Sequence, residues 1–154
     1  MGCFAFGADE DGPDVFKRTV DLCLEAKIDL PRFSIITPFP GTDFYRELEA
    51  EGRIVEHDFA MYDVEHCVYE PKQMTKEELE ASIAWAWKET YSWKNIWKRL
   101  DLTKPKTMKS LYMLVNIGYR KYAKEFEIFG ADVMSDNSDI PEVKQDENTI
   151  HNSV

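Results

Sequence analysis

The 154-residue chain has neither a Walker phosphate loop nor a G-x-G-x-x-G turn, which removes the usual nucleotide-cradling readings. Cysteine is scarce: Cys3, Cys23 and Cys67 are odd in number and widely spaced, which argues against a disulfide scaffold. With no signal peptide, they predict a reduced, cytoplasmic protein. No second cysteine stands at zinc spacing from Cys67, and His57 and His66 lie nine apart, so no zinc set is expected. No apolar run is long enough to span a bilayer. Met1-Gly2-Cys3 opens like a myristoylation site, but Phe6 stands where Ser or Thr is required. Excess positive charge is missing too. The formal net charge of −10 argues against nucleic acid as the main partner.

What is present suffices for one folded domain: 44% apolar and 31% charged residues over 154 positions. The charge is uneven. Residues 1–87 carry 8 Lys/Arg against 19 Asp/Glu, residues 88–124 carry 10 against 2, and residues 125–154 carry 1 against 8. A basic segment therefore lies between two acidic ones. Trp85, Trp87, Trp93 and Trp97, all the tryptophans of the chain, stand in and just before it. Two readings stay open: contact with a membrane surface, where Trp and Lys are favoured, or packing against protein.

Gly2-Cys3-Phe4-Ala5-Phe6-Gly7 reads as a short buried strand. Asp9-Glu10-Asp11-Gly12 is an acidic loop; it lacks the remaining ligands of a calcium loop and suits a solvated turn. Pro13 suits a helix start, and Phe16, Val20, Cys23 and Leu24 fall at helical spacing to about Lys27. Phe33, Ile35 and Ile36 form a second strand, stopped by Thr37-Pro38-Phe39-Pro40-Gly41, with Thr42 as the cap of a further helix ending near Gly52. Strand, helix, strand in about 35 residues predicts a parallel pair joined by a right-handed crossover. Cys67-Val68-Tyr69 suits a short strand. Thr75-Lys76-Glu77-Glu78 is a capping box opening a helix to about Leu100. Another helix starts near Thr107, with Met108, Leu111, Tyr112, Val115, Tyr119, Tyr122 and Phe126 as its apolar stripe. From Ala131 the composition predicts a disordered tail.

Taken together, Gly2–Asp11, the Thr37-Pro38-Phe39-Pro40-Gly41-Thr42 turn, Glu51-Gly52-Arg53-Ile54, Tyr62-Asp63, Met74-Thr75 with Glu78-Leu79, and Tyr91-Ser92 resemble, in order, the fifth and sixth strands and the later segments of radical S-adenosylmethionine enzymes of the cobalamin-binding subgroup. The resemblance covers about residues 2–120. It implies an α/β fold: a partial (βα) barrel with two parallel strands over residues 1–74, a carboxyl-terminal α-helical hairpin over 75–129, and a disordered acidic tail over 130–154. It implies that Phe6, Gly7 and Asp9, at the end of the first strand, and Ser34, Thr37 and Pro38, at the end of the second, face S-adenosylmethionine. For the complete enzyme it implies S-adenosylmethionine, a [4Fe–4S] cluster and cobalamin. This chain has no C-x₃-C-x₂-C cluster motif. It is therefore expected to hold no cofactor alone, and no metal or catalytic residue is assigned to it. The expectation is a carboxyl-terminal fragment or split portion, not catalytic by itself, whose partner is the missing amino-terminal part as a separate chain. The alternative is a non-enzymatic interaction module using the Trp/Lys helices on a membrane surface or protein partner.

Overall fold

The computed structural model describes residues 1–101, 103 and 105–136, and for 126–136 the helix backbone alone. Strand β1 (Gly2–Phe6) leads through helix α1 (Asp14–Glu25) to strand β2 (Pro31–Ile35). Helix α2 (Asp43–Ala50) comes next, then a 3₁₀ turn at Phe59–Met61, and helices α3 (Lys76–Thr90), α4 (Trp93–Arg99) and α5 (Lys106–Asp136). The strands are parallel, with Phe4 beside Phe33 and Phe6 beside Ile35. The expected parallel pair is therefore present. Among the described residues the sheet stops at two strands, so it does not close into a barrel.

The period-two alternation of side chains gives this sheet two unlike faces. Phe6, Phe33 and Ile35 turn to the core, where Phe6 meets Phe16 of α1 (centroids 4.7 Å apart) and Phe33 meets the edge of Trp87 of α3 (5.6 Å). On the other face Cys3, Ala5 and Arg32 are exposed and Ser34 is half-buried. The expectation of a buried first strand thus holds for one face only. The residues that break the apolar run are small or polar, and the helices cover only the aromatic side.

The two strand edges differ as well. On the outer edge of β2 the Pro31 carbonyl accepts from the Tyr91 hydroxyl (2.7 Å), and the Ile35 N–H donates to the Val64 carbonyl (2.8 Å). In a parallel ladder Cys3 and Ala5 send their N–H and C=O groups to the outer edge of β1. Among the described residues no strand pairs with that edge.

The expected single helix to Leu100 is broken. α3 ends at Thr90, and the Ser92 hydroxyl accepts from the Asn95 N–H (3.3 Å), capping α4. Ser competes well for such a role because its oxygen satisfies a backbone donor that would otherwise be orphaned. The Asn95 amide then returns to the Glu89 carbonyl (2.8 Å) and fixes the bend. The bend carries α4 back toward α1 and buries Arg99 completely. The Arg99 guanidinium donates to the carbonyls of Ile28, Asp29 and Thr90 (2.9, 2.9 and 3.0 Å) and to the Asn116 side chain (3.2 Å), and it lies 5.1 Å from the Tyr91 ring centre.

α5 packs along α3 with Trp87 between them. Trp87 stacks on Tyr91 and Tyr119 and meets Tyr122 edge-on (5.5, 5.9 and 5.0 Å). α5 also runs past the expected boundary at 130, to Asp136; the rest of the predicted tail, 137–154, and the Phe126 side chain lie outside the described residues.

Replacing Arg99 by Met takes a donor from the buried Thr90 carbonyl and Asn116 side-chain oxygen and from the half-buried Ile28 carbonyl, while the Asp29 carbonyl keeps only its long contact from Asn116 (3.4 Å). At roughly 1–3 kcal/mol for each stranded group, the loss reaches about 3 kcal/mol or more. Arg99→Lys recovers only part of it, because one ammonium cannot span the fork. Urea unfolding of both variants measures this, and a loss under about 1 kcal/mol for Arg99→Met would remove the assigned role.

Candidate functional site

The carboxyl ends of β1 and β2 lie side by side because Phe6 and Ile35 are register partners and the Ile36 N–H donates to the Phe6 carbonyl (2.9 Å). The loops leaving them, Gly7–Gly12 and Ile36–Gly41, form the candidate site. The open face of Cys3, Ala5, Arg32 and Ser34 runs up to it.

The first loop is held from within. The Asp11 carboxylate accepts from the N–H groups of Gly7 (2.9 Å) and Ala8 (3.0 Å), so the acidic segment is a backbone-capping turn. Gly7 has φ +105°, and its carbonyl accepts from the buried Tyr69 hydroxyl (2.7 Å). A β-carbon at Gly7 would collide with that hydroxyl. Only glycine suits both the conformation and the close approach.

Asp9 is engaged by the chain itself. One oxygen meets the Arg53 guanidinium (2.9 Å) and the other the Lys72 ammonium (2.6 Å). Arg53 also reaches Glu51 (2.9 Å) and the Glu70 carbonyl (2.8 Å). Hydrogen bonds from Lys72 and then Arg53 hold the Asp9 carboxyl below its ordinary range. Phe6 places its ring in the core against Phe16, so only its backbone stands at the site.

The second loop is more open. Pro38 is buried and Thr37 half-buried, and the Thr37 hydroxyl donates to the Ile35 carbonyl (3.4 Å). Ser34 on the open face donates to the Phe4 carbonyl across the strands (3.4 Å). Thr42 caps α2 through the Tyr45 N–H (3.2 Å), as expected. Of the six residues assigned from sequence, Gly7 and Asp9 are thus tied into the first loop. Ser34 and Thr37 present hydroxyls with only long contacts, and Phe6 and Pro38 supply packing.

Beneath the site, Cys67 is fully buried. Its thiol donates to the Tyr69 carbonyl (3.1 Å), and burial pushes it up to about 12. Its N–H donates to the Glu80 carboxylate (2.8 Å), and burial raises the Glu80 carboxyl above its ordinary range. Cys23 is buried elsewhere, in α1, with its thiol raised by burial to about 11, whereas Cys3 is exposed. The thiols therefore sit on separate elements, and they do not fit a cluster that needs three thiolates from one compact loop. Among the described residues no group of acidic, His and Cys side chains could hold a metal ion. Sequence reasoning did not assign Arg53, Lys72, Tyr69 or Glu80. Arg53 stood in the quoted motif series, but nothing local marks Tyr69 as the partner of a carbonyl 62 positions earlier.

A family model described as the Tubulin-tyrosine ligase family matches residues 61–142, just over half of the chain. By extent alone, the chain belongs to that family. The match leaves out both strands and both site loops. Two curated proteins of Chlorobaculum tepidum match across more of the chain. Bacteriochlorophyllide d C-12(1)-methyltransferase is 35% identical over 101 residues, 66% of this chain and 22% of that protein. Bacteriochlorophyllide d C-8(2)-methyltransferase is 28% identical over 122 residues, 79% of this chain and 26% of that protein. The chain spans about a quarter of the length of these relatives. Both likenesses extend over more residues than the family-model match. No solved structure matches the chain.

Gly7→Ala should cost about 3 kcal/mol, from a strained φ together with the collision at Tyr69. Tyr69→Phe alone removes one hydrogen bond, about 1 kcal/mol. The double variant relieves the collision but keeps the φ strain; a Gly7→Ala protein as stable as its parent in urea would contradict the loop geometry.

Glu80 gives a pH signature. A carboxyl whose folded-state pKa is raised binds its proton more tightly in the folded protein than in the unfolded one. Its contribution to stability is therefore lost as pH rises through the raised value. Glu80→Gln keeps an acceptor for Cys67 and removes that loss. Its gain in Tm over the parent should appear near neutral pH and vanish toward about pH 4; a gain independent of pH would rule out Glu80 as the cause.

Proposed function

We propose that this chain is the portion of an S-adenosylmethionine-dependent methyltransferase that supplies the last two barrel strands and the helices beside them. The substrate class is a chlorin-type tetrapyrrole. The carrying observation is the likeness to two bacteriochlorophyllide methyltransferases over 66% and 79% of the chain. The ordered motif series resembling cobalamin-binding radical S-adenosylmethionine enzymes supports the same class. The chain is not catalytic alone on this reading.

The sheet supports it physically. The outer edge of β2 is served by Tyr91 and Val64, while the outer edge of β1 has no strand on it among the described residues. Unpaired N–H and C=O groups along a strand favour strand addition, so the remaining strands join at β1. The face of Cys3, Ala5, Arg32 and Ser34 then turns inward, and the small side chains of Cys3, Ala5 and Ser34 leave room for a ligand beside the Arg32 guanidinium.

S-adenosylmethionine supplies the methyl group or the radical chemistry when bound. Ser34 and Thr37 would offer it hydroxyls, and the backbone at Gly7 would line its nucleoside side. Asp9 does not fit a direct contact, because both its oxygens are in ion pairs; its part is to hold the first loop through Arg53 and Lys72. The [4Fe–4S] cluster and cobalamin do not fit the residues present, and they belong to the remaining part of the enzyme.

Co-expression tests this. The partner is the portion of the C-12(1)-methyltransferase that this chain does not match. The tagged chain should carry that portion through affinity and size-exclusion steps, and the complex should move label from methyl-labelled S-adenosylmethionine to a bacteriochlorophyllide. Ala5→Asp, which puts a charge on the inward face, should abolish transfer. A chain that stays alone and monomeric beside the co-expressed portion would overturn the proposal.

A further inference from the structure

Going beyond that reading, we propose that α4 and α5 form a docking face for an anionic lipid surface. The row of α5 turned to the core is Tyr112, Asn116 and Ala123, all buried. On the opposite side Leu111, Leu114 and Ile117 are 54%, 68% and 48% exposed. Spacings of three and four place neighbours on one helix surface. By that rule Trp93 and Trp97 share a face of α4, and they are 46% and 60% exposed.

The two faces adjoin. The Arg120 guanidinium of α5 stands 5.1 Å from the centre of the Trp93 ring, and Ile117 lies one turn before Arg120. The Tyr112 hydroxyl holds the α4 backbone at Ile96 (2.6 Å). Five large apolar side chains are thus fixed in the open by rigid helices. Such a patch marks an interaction site.

Charge selects the occupant. Residues 88–124 carry 10 Lys/Arg against 2 Asp/Glu, in a chain with a net charge of −10. Lys94, Lys98, Lys106, Lys121 and Lys124 are exposed and make no ion pair with a described residue. Exposed lysines around exposed Trp, Leu and Ile are the composition of an interfacial helix face, with ammonium groups at the headgroups and indole rings at the boundary. No helix among the described residues is long and apolar enough to cross the membrane, so the contact lies on the surface.

Flotation of the full chain with vesicles tests this. One set is phosphatidylcholine alone, the other phosphatidylcholine with phosphatidylglycerol. The chain should float with the anionic set and be released by salt. Its tryptophan emission should shift to the blue on binding. Trp87, being 1% exposed, contributes nothing to that shift. Lys94→Glu/Lys98→Glu/Lys121→Glu should lower partitioning at least about tenfold, because each basic residue adds to the attraction. Trp93→Ala/Trp97→Ala should lower it as well while shifting the unfolding equilibrium in urea no more than about fivefold, about 1 kcal/mol, the worth of the exposed Arg120–Trp93 contact. Equal binding to both vesicle sets, no binding to either, or unchanged binding by the tryptophan variant would overturn the proposal. So would burial of Trp93 and Trp97 in the co-expressed complex, which would assign the face to protein.

Discussion

The fold depends on one buried guanidinium. Arg99 reaches the chain entering β2 through the carbonyls of Ile28 and Asp29, the end of α3 through Thr90, and α5 through Asn116. Three elements distant in sequence are pinned by one planar fork. A charge is costly to bury, and several oxygen acceptors at once are what make it tolerable. The break at Ser92 answers this need. A continuous helix would carry Arg99 onward along the α3 axis; the bend turns it toward the start of β2.

The loop after β1 is settled in a similar way. Its polar groups are taken up by the chain itself: Asp11 by the turn, Asp9 by Arg53 and Lys72, and the Gly7 carbonyl by the Tyr69 hydroxyl. One wall of a site is therefore rigid before any ligand arrives. The sheet, by contrast, has no further strand on the outer edge of β1 among the described residues, and its face of Cys3, Ala5, Arg32 and Ser34 looks outward. A rigid wall thus stands beside a strand edge whose N–H and C=O groups no described strand takes up.

Much of the strand–helix–strand unit was legible because its signals are local. The stripe of Phe16, Val20, Cys23 and Leu24, the Thr42 and Thr75 caps, and the Gly52 turn need only neighbours to act, and each appears where periodicity puts it. What composition hid was non-local. Ser92 as a cap competes with a strong helical stretch, and its advantage comes from Arg99 and Asn95 finding partners elsewhere. The open face of β1 was read as buried because Cys and Ala are apolar, whereas their exposure reflects which helices are there to cover them. At the site, the pairing of Asp9 with residues 44 and 63 positions later could not be read from spacing.

The span of these contacts sets the order of assembly. The Gly7 carbonyl finds its hydroxyl donor at Tyr69, the residues before β2 find theirs at Arg99 and Asn116, and Trp87 waits for Tyr119 and Tyr122. A chain emerging from the ribosome holds β1, α1 and β2 long before α5 exists. Closing such long loops costs entropy before any contact repays it, and contacts of long sequence separation slow folding in general. During synthesis the parallel pair stays exposed, and the aromatic surface of α3 must be kept from other chains until α5 arrives to cover it.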